Sequence, residues 1–143
     1  MTDEEIQDFV TRFATAWAAR DGDAFLELWH ADGTLHYPFT NRVLKGSEIG
    51  KLNDIQKQQA PDLAWQLLDW ASRGDTVIVE FQTSRFVDGK SFSFRGVDKF
   101  RIRDRRILEE RVYLDTAPLR ALCDGRPIEP LVIVSTKSLA IAA

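Results

Sequence analysis

The sequence has little that would cross-link the chain, charge it strongly or bind a metal. Its 143 residues contain one cysteine, Cys123, so no intrachain disulfide can form, and a reducing compartment is indicated. The formal net charge of −3 gives no electrostatic reason to expect a nucleic-acid partner. The two histidines and the cysteine show no metal-ligand spacing. A disulfide scaffold, a nucleic-acid binder and a metal centre are therefore disfavoured.

Signals for export, membrane insertion and nucleotide binding are also missing. The N-terminal residues Met1 to Glu5 are acidic and lack the basic and apolar regions of a signal peptide. No apolar stretch approaches membrane-spanning length, and neither a glycine-rich phosphate loop nor a nucleophile elbow occurs. We therefore expect a cytoplasmic protein with no membrane partner and no cofactor.

The most informative feature that is present is an acid on the apolar face of a predicted strand. Residues 92–102 alternate with a period of two, and Phe94, Asp98 and Phe100 share the apolar face. Burying a carboxylate is costly, so such an acid is usually hydrogen-bonded, paired, or protonated with a raised pKa. Perturbed acids of this kind are candidates for functional sites. We therefore predict that Asp98 has a raised pKa and belongs to a site.

The preceding strand, residues 76–87, predicts what surrounds this acid. The Asp88-Gly89 pair is a strong signal for a two-residue hairpin turn, and counting back from it places Val79 opposite Asp98. Directly opposed residues point to the same face. The neighbours expected around the acid are apolar and include no basic residue: Val77, Val79, Phe81, Phe94 and Phe100.

The last strand carries a second candidate acid, whose role depends on a loop length. A three-residue loop, Asp104 to Arg106, would place Val112 opposite Asp98 and Glu110 diagonally beside it. A two-residue loop would instead place Arg111 opposite Asp98 and make an ion pair, because a one-residue slip reverses every side chain. We predict the first register because it buries three apolar residues. The alternative for Glu110 is a solvated or ion-paired strand residue.

Helices precede strands along the chain, which indicates one α+β domain. The Thr2–Glu5 capping box starts the first helix, Asp23 can start a second that ends at residues 31–33, and Ser47 can start a third. The predicted strands are Thr34–Tyr37, which Pro38 stops, then Leu63–Trp70, Thr76–Val87, Lys90–Arg103 and Ile107–Leu114, with a helical turn or two over residues 116–123. We expect a curved antiparallel sheet whose concave face is covered by the N-terminal helices. Trp65 and Trp70 should lie on opposite faces of their strand.

Several segments resemble nuclear-transport-factor-2-like domains, a superfamily that includes ketosteroid isomerases, SnoaL-like polyketide cyclases and limonene epoxide hydrolases. The segments are Phe13 to Pro38 with Lys45-Gly46, then Gly96 to Arg101, and then Ile107 to Asp115. The resemblance covers residues 2 to 123 approximately. It implies a cone-shaped, cystatin-like α+β barrel with a deep hydrophobic pocket between the sheet and helix 1, often dimerised through the sheet. The domain should span residues 1–125, followed by a C-terminal extension, 126–143.

The catalytic residues of these relatives carry over only in part. Asp98 matches the late-strand Asp that ketosteroid isomerases keep protonated, but Phe13 stands where their helical Tyr would be. Tyr37 stands where their general-base Asp precedes a proline. Val112 occupies the final Asp position of limonene epoxide hydrolases, which argues against that activity. Asp115 matches an Asp of the SnoaL-like cyclases, although a helix cap is the favoured role for it.

These observations predict an enzyme that transfers protons on a small apolar, cyclic or carbonyl-bearing molecule, as an isomerase, cyclase or dehydratase does. Asp98 would be the general acid or hydrogen-bond donor and Tyr37 a second polar anchor. The residues expected to contact substrate are Phe13, Trp17, Phe81, Phe94, Phe100, Glu110 and Val112. The alternative is a non-catalytic module that binds a ligand in the same pocket or acts only as a dimeric interaction domain.

A homodimer is expected because the opposite sheet face mixes apolar and complementary charged residues. These are Ile78, Val97 and Tyr113 with Glu80, Arg95, Arg101 and Arg111. The segment Pro127 to Val134 is too apolar to be left in water, so it should pack on its own sheet or on the partner subunit.

Deleting residues from Pro127 onward should therefore lower the melting temperature or weaken dimerisation. Thermal unfolding and analytical ultracentrifugation of the full-length and truncated proteins measure the two effects. An unchanged melting temperature together with unchanged sedimentation would show that this segment contributes to neither.

Overall fold

The computed structural model describes residues 1–19, 21–87 and 89–126. Its elements are α1 (Asp3–Ala19), α2 (Gly22–Leu26), β1 (Trp29–His36), β2 (Leu44–Lys45), α3 (Ser47–Gln59), β3 (Ala64–Arg73), β4 (Thr76–Val87), β5 (Lys90–Arg103), β6 (Arg106–Leu114) and α4 (Ala117–Cys123). Residues 127–143, which contain most of the expected C-terminal extension and its Pro127–Val134 segment, lie outside the described residues. None of the helices in the described ranges is long and apolar enough to cross a membrane.

The six strands form one curved sheet in the order β2-β1-β6-β5-β4-β3. Strands β3 to β6 are an antiparallel meander, and β6 returns beside β1 and runs parallel to it. The sheet is therefore mixed, whereas a purely antiparallel sheet was expected. The α+β class and the N-terminal helices packed on the sheet are confirmed. Over the described residues the sheet is open, because the edge strands β2 and β3 do not pair.

Helix α1 begins and packs as its sequence predicts. The Thr2 backbone N–H donates to Glu5 Oε2 at 3.0 Å, and the Glu5 N–H donates to Thr2 Oγ1 at 3.2 Å, which completes the capping box. The apolar face of α1 lies on the sheet through its phenylalanines. The Phe9 and Phe13 rings meet the Phe100 ring at centroid distances of 5.3 and 4.8 Å. These edge-to-face contacts hold α1 over the concave face of the sheet.

The second helix is shorter than the sequence pattern predicts. Helix α2 ends at Leu26, and Trp29, which the helical pattern included, begins β1. Trp29 is buried and pairs with Ile107 of β6. A side chain at Gly33 would lie 3.0 Å from the Ile107 carbonyl oxygen, so Gly33 permits close strand contact and does not cap a helix. Pairing with a strand far along the chain overrides the local helical pattern.

A bulge in β3 changes the faces of its two tryptophans. Trp65 pairs with Thr83 and Trp70 with Val79, with a register shift between Leu67 and Asp69. Because Thr83 and Val79 point to the same side of β4, both tryptophans face the core. The prediction that they lie on opposite faces was wrong. One extra residue in β3 reverses the alternation after it.

The β4–β5 hairpin has the predicted register. Val87 pairs with Lys90 across the turn, and Val79 pairs with Asp98. Gly89 has a φ of 74°, a conformation that suits glycine in a two-residue turn.

The turn between β5 and β6 differs from the prediction, but the predicted register still forms. Arg103 pairs with Arg106 across a two-residue turn, whose residues Asp104 and Arg105 have φ values of 51° and 61°. The expected three-residue loop is therefore wrong. Leu108 is then inserted as a bulge, because Ile102 pairs with Ile107 whereas Arg101 pairs with Glu109.

That bulge restores the alternation, so Val112 lies opposite Asp98 and Glu110 lies opposite Phe100. Ile107 and Glu110 are both buried although they are three residues apart, a spacing that places two side chains on opposite faces of a regular strand. Arg111, which the two-residue loop alone would have brought to Asp98, points to the other face.

Candidate functional site

A cavity of about 70 Å³ lies between the concave face of the sheet and helices α1 and α3. Its walls are mostly apolar and aromatic, and no basic side chain of the described residues contributes to them. Seven of the nine residues predicted to form a site line it: Trp17, Tyr37, Phe81, Phe94, Asp98, Glu110 and Val112. The cavity is partly open to solvent, so it can admit water or a small organic molecule.

Two predicted lining residues do not line the cavity. Phe13 and Phe100 are fully buried in the core beneath it. Their rings pack on each other, and Phe13 also packs edge-on against Trp65, which does line the cavity. The period-two pattern placed Phe100 on the correct face of the sheet, but α1 covers that end of the strand completely. Phe13 and Phe100 therefore support the cavity wall from behind.

Two carboxyl groups face the cavity from adjacent strands. Asp98 is 2% exposed and Glu110 is 3% exposed, and the pairing of β5 with β6 places them diagonally on one face. Asp98 Oδ1 and Glu110 Oε2 have no hydrogen-bond partner in the described part of the chain. Burial raises the pKa of both groups well above the ordinary range, and the charge of Asp98 raises the pKa of Glu110 further. Such a pair retains protons readily, because ionising both groups would place two like charges together in an apolar wall.

Tyr37 supplies a phenol at the same level as Asp98. It follows β1, in which His36 pairs with Arg111, so Tyr37 lies beside Val112. The Gln56 side-chain amide donates to Tyr37 Oη at 2.6 Å. Burial raises the pKa of Tyr37 most, the charges of Asp98 and Glu110 raise it further, and the Gln56 hydrogen bond opposes them. The phenol therefore stays protonated, and its O–H can donate to another group.

A second set of polar groups in the cavity comes mostly from helix α3. Asn53 and Thr83 are 4% and 3% exposed, and Asn53 Oδ1 and Thr83 Oγ1 also lack a partner among the described residues. Thr83 alternates with Val79 and Phe81 along β4 and so shares their face. Sequence reasoning missed Asn53 and Gln56. Their signal is helical spacing, since both lie on the α3 face that contains the buried Ile49. Buried polar atoms without protein partners in one cavity are groups that a ligand or water can satisfy.

Asp115 and His36 lie outside this cavity. Asp115 Oδ1 accepts a hydrogen bond from the Ala117 backbone N–H at 2.9 Å, which confirms its role at the start of α4. His36 Nε2 lies 3.6 Å from Glu109 Oε2 on the other face of the sheet. Across residues 1–19, 21–87 and 89–126, no group of three or more His, Cys, Asp or Glu side chains could hold a metal ion.

Comparison with known proteins places the chain among similar sequences and folds. The family described as SnoaL-like domain matches residues 10–110. No curated protein matches the chain. Three solved structures share the fold of this chain. Their sequence identities are 22% or lower, so the similarity concerns the fold and not the activity.

AclR from Streptomyces galilaeus, assigned as a hydroxylase, is 17% identical with a TM-score of 0.74, over 99% of this chain and 94% of AclR. A protein from Jannaschia sp. CCS1, assigned as a SnoaL-like polyketide cyclase, is 17% identical with a TM-score of 0.73, over 87% and 94% of the two chains. A hypothetical protein from Catenulispora acidiphila with a ketosteroid isomerase-like fold, solved with trimethylamine, is 22% identical with a TM-score of 0.72, over 83% and 93%.

The buried carboxyl groups predict how stability depends on pH. Because the folded protein binds protons at Asp98 and Glu110 more tightly than the unfolded chain, the stabilisation is complete below the ordinary carboxyl pKa and is lost as pH rises through the folded pKa values. Within that window the free energy of unfolding should fall by up to about 1.4 kcal/mol per pH unit for each proton.

The substitution Asp98→Asn should make this slope shallower, so that the variant gains stability relative to wild type as pH rises. Urea unfolding at a series of pH values measures the slope. The control Thr83→Val changes a buried polar cavity residue without changing the proton count, so its slope should equal that of wild type. Equal slopes for wild type and Asp98→Asn, or NMR titration showing an ordinary pKa for Asp98, would contradict the prediction.

Proposed function

The chain belongs to the SnoaL-like domain family, and from this premise we propose that it catalyses proton transfer on a small, largely apolar carbonyl compound bound in the cavity. The observation that carries the proposal is the set of three titratable groups, Asp98, Glu110 and Tyr37, around one mostly apolar cavity. No cofactor is required for such a reaction, because acids and bases supply its chemistry.

The two carboxyl groups can divide the acid and base roles between them. With one proton shared by Asp98 and Glu110, the ionised group can remove a proton from the carbon next to a carbonyl. The protonated group and the Tyr37 O–H can donate hydrogen bonds to the carbonyl oxygen, which gains negative charge as that proton leaves. Apolar walls strengthen both interactions, because they exclude water from the charges that develop.

The fate of the proton then distinguishes the possible reaction types. Returning it to a different carbon isomerises the substrate, and the carboxyl pair ends with the same number of protons as it began with. In a cyclisation, the enolate carbon would attack a second carbonyl of the same molecule, and the new alkoxide would take the proton. Both reactions begin with removal of the same proton, so one assay can test both.

The comparisons support a small-molecule enzyme of this general kind. The similar Jannaschia protein is assigned as a polyketide cyclase, and the similar Catenulispora protein has a ketosteroid isomerase-like fold. Proton transfer next to a carbonyl is chemistry that isomerases and cyclases of this fold share, and it is the chemistry that the acid pair of this chain suits.

A second candidate function is ligand binding without catalysis, and the hydrogen bond of Tyr37 favours it. Tyr37 is held by Gln56 and not by Asp98, so the phenol and the acid are not preassembled as one hydrogen-bonded pair. A binding protein would use Asn53, Thr83 and the carboxyl groups to satisfy polar groups of its ligand. Catalytic exchange of substrate protons separates this candidate from an enzyme.

Exchange of α-protons for deuterium in cyclic ketones such as cyclohexanone and 1-tetralone tests the proposal without knowledge of the product. In D₂O, the protein should accelerate this exchange, as followed by ¹H NMR. Asp98→Asn and Glu110→Gln should each reduce the rate by roughly 10²- to 10⁴-fold, the usual contribution of a general acid or base. Tyr37→Phe should also reduce it, because the phenol donor is lost.

The matched control is Asp115→Asn, the same chemical change at a helix cap outside the cavity, where Asn caps as well as Asp. It should leave the exchange rate unchanged. Ketone binding without exchange above the buffer rate would favour the binding protein, and exchange that survives Asp98→Asn would remove Asp98 from the reaction.

We also propose that the protein forms a homodimer through the outer face of the sheet. That face exposes Ile78 and Tyr113, which are 41% and 54% accessible, on β4 and β6, the two strands that flank β5. Charged groups of both signs surround them, and Arg95 lies 3.8 Å from Glu80. An apolar centre with complementary charges suits a two-fold interface, in which each patch meets its own copy.

Ile78→Lys should weaken this dimer, because it places like charges opposite each other across the two-fold axis. Sedimentation velocity at micromolar concentration measures the change. Ile55→Lys is the matched control, since Ile55 is equally exposed but lies on α3. A wild-type protein that sediments as a monomer would exclude the dimer.

A further inference from the structure

Gly96 occupies an unusual position for a glycine. It lies on the cavity face of β5, between Phe94 and Asp98, and pairs with Phe81 of β4. It is not one of the described glycines with positive φ, so its backbone does not require glycine. A glycine inside a strand weakens the strand and often marks a close approach by another group. The requirement for glycine at position 96 therefore comes from the atoms that lie over its backbone on the cavity face.

That space is filled by the ring of Phe81. A Cβ atom on Gly96 would overlap Phe81 Cζ and would lie 3.0 Å from both Cε1 and Cε2. These atoms belong to a rigid, buried ring, so they can yield only if the whole ring turns away from the sheet. The bare backbone of Gly96 is the surface on which the Phe81 ring rests.

The Phe81 ring continues into an aromatic series that we define as Phe81, Trp65 and Trp17. Phe81 stacks on Trp65 at a centroid distance of 5.8 Å and an angle of 26°, and Trp65 stacks on Trp17 at 6.4 Å and 13°. All three rings line the cavity. The series runs from β4 through the edge strand β3 to α1. Because Trp65 stacks against Phe81, displacing Phe81 must also disturb the stacking or narrow the cavity.

We propose that Gly96 is a specificity-determining position, which sets the size of the ligand that fits beside Asp98 by letting the tip of the Phe81 ring lie directly over its backbone. Gly96 and Asp98 are two residues apart on the same strand face, and Phe81 and Asp98 line the same cavity. A cavity of about 70 Å³ has little volume to lose when a ring turns into it. The carbonyl class of the ligand rests on the proposed function, whereas the position of the ring does not.

Crystal structures of the wild type, Gly96→Ala and the double variant Gly96→Ala/Phe81→Leu test the structural half of this inference. In Gly96→Ala the Phe81 ring should leave the sheet and reduce the cavity. In the double variant, the smaller Leu side chain should fit beside the new methyl group and reopen the cavity. A Phe81 ring that keeps its position in Gly96→Ala would overturn the inference, whatever the protein binds.

Binding of one-ring and two-ring ketones, cyclohexanone and 1-tetralone, tests the selectivity half. Shifts of the Trp17 and Trp65 indole N–H signals in ¹⁵N NMR spectra report occupancy, after assignment with Trp→Phe variants. Gly96→Ala should weaken 1-tetralone roughly tenfold or more, as a misfit of one methyl group in an apolar pocket does, and should affect cyclohexanone less. The double variant should recover 1-tetralone binding.

The variant Phe81→Leu alone provides a test that does not depend on the folding of Gly96→Ala. It should enlarge the cavity beside Asp98 and tighten 1-tetralone relative to cyclohexanone. Equal weakening of both ketones in Gly96→Ala, or unchanged selectivity in Phe81→Leu, would overturn the inference. If wild type binds neither ketone, the carbonyl class in the proposed function fails, and the ring positions in the three crystal structures still decide the role of Gly96.

Discussion

The pairing of β5 with β4 on one side and β6 on the other is the constraint on which the cavity depends. This pairing decides which side chains face α1 and which face solvent, because a shift of one residue would turn every side chain of a strand to the opposite face. On the β6 side this pairing needs the Leu108 bulge, without which Ile107 and Glu110 could not both be buried. The two acids share a wall because of a bulge ten residues from Asp98. Such bulges are structural features that redirect side chains.

Burying two acids beside each other works against stability, and the surrounding core offsets that cost. Unpartnered carboxyl groups in an apolar wall must hold protons or find a ligand, and either requirement ties the fold to pH. The edge-to-face contacts of Phe9, Phe13 and Phe100 bury large rings directly beneath the cavity. The burial of these rings stabilises the fold, whereas the burial of the two carboxyl groups does not. Buried carboxyl oxygens that lack a hydrogen-bond partner among the described residues are available to a ligand or to water.

The sequence was most informative where the signal was local or strictly periodic. The Thr2–Glu5 capping box and the β4–β5 turn follow from short-range chemistry, and both formed as predicted. It was least informative where a distant strand competed with a local pattern. Trp29 carries a helical pattern but is buried against β6, and the bulge in β3 turned Trp70 inward. Each of these depends on a partner far away along the chain, which composition and periodicity do not reveal.

The sequence by itself therefore determined the α+β class and the strand that carries Asp98. It also determined that the surroundings of Asp98 are apolar, because the alternation of side chains along one strand is a local property. The sequence predicted the register that brings Glu110 to Asp98, but only the tertiary structure showed that a two-residue turn and a bulge produce it. The tertiary structure also decided that Phe13 and Phe100 lie behind the cavity and that Asn53 of α3 faces into it. These outcomes depend on a bulge and on how far a helix covers the sheet. Both features result from the packing of helices against the sheet, which depends on the shapes and volumes of side chains and not on the periodicity of the sequence.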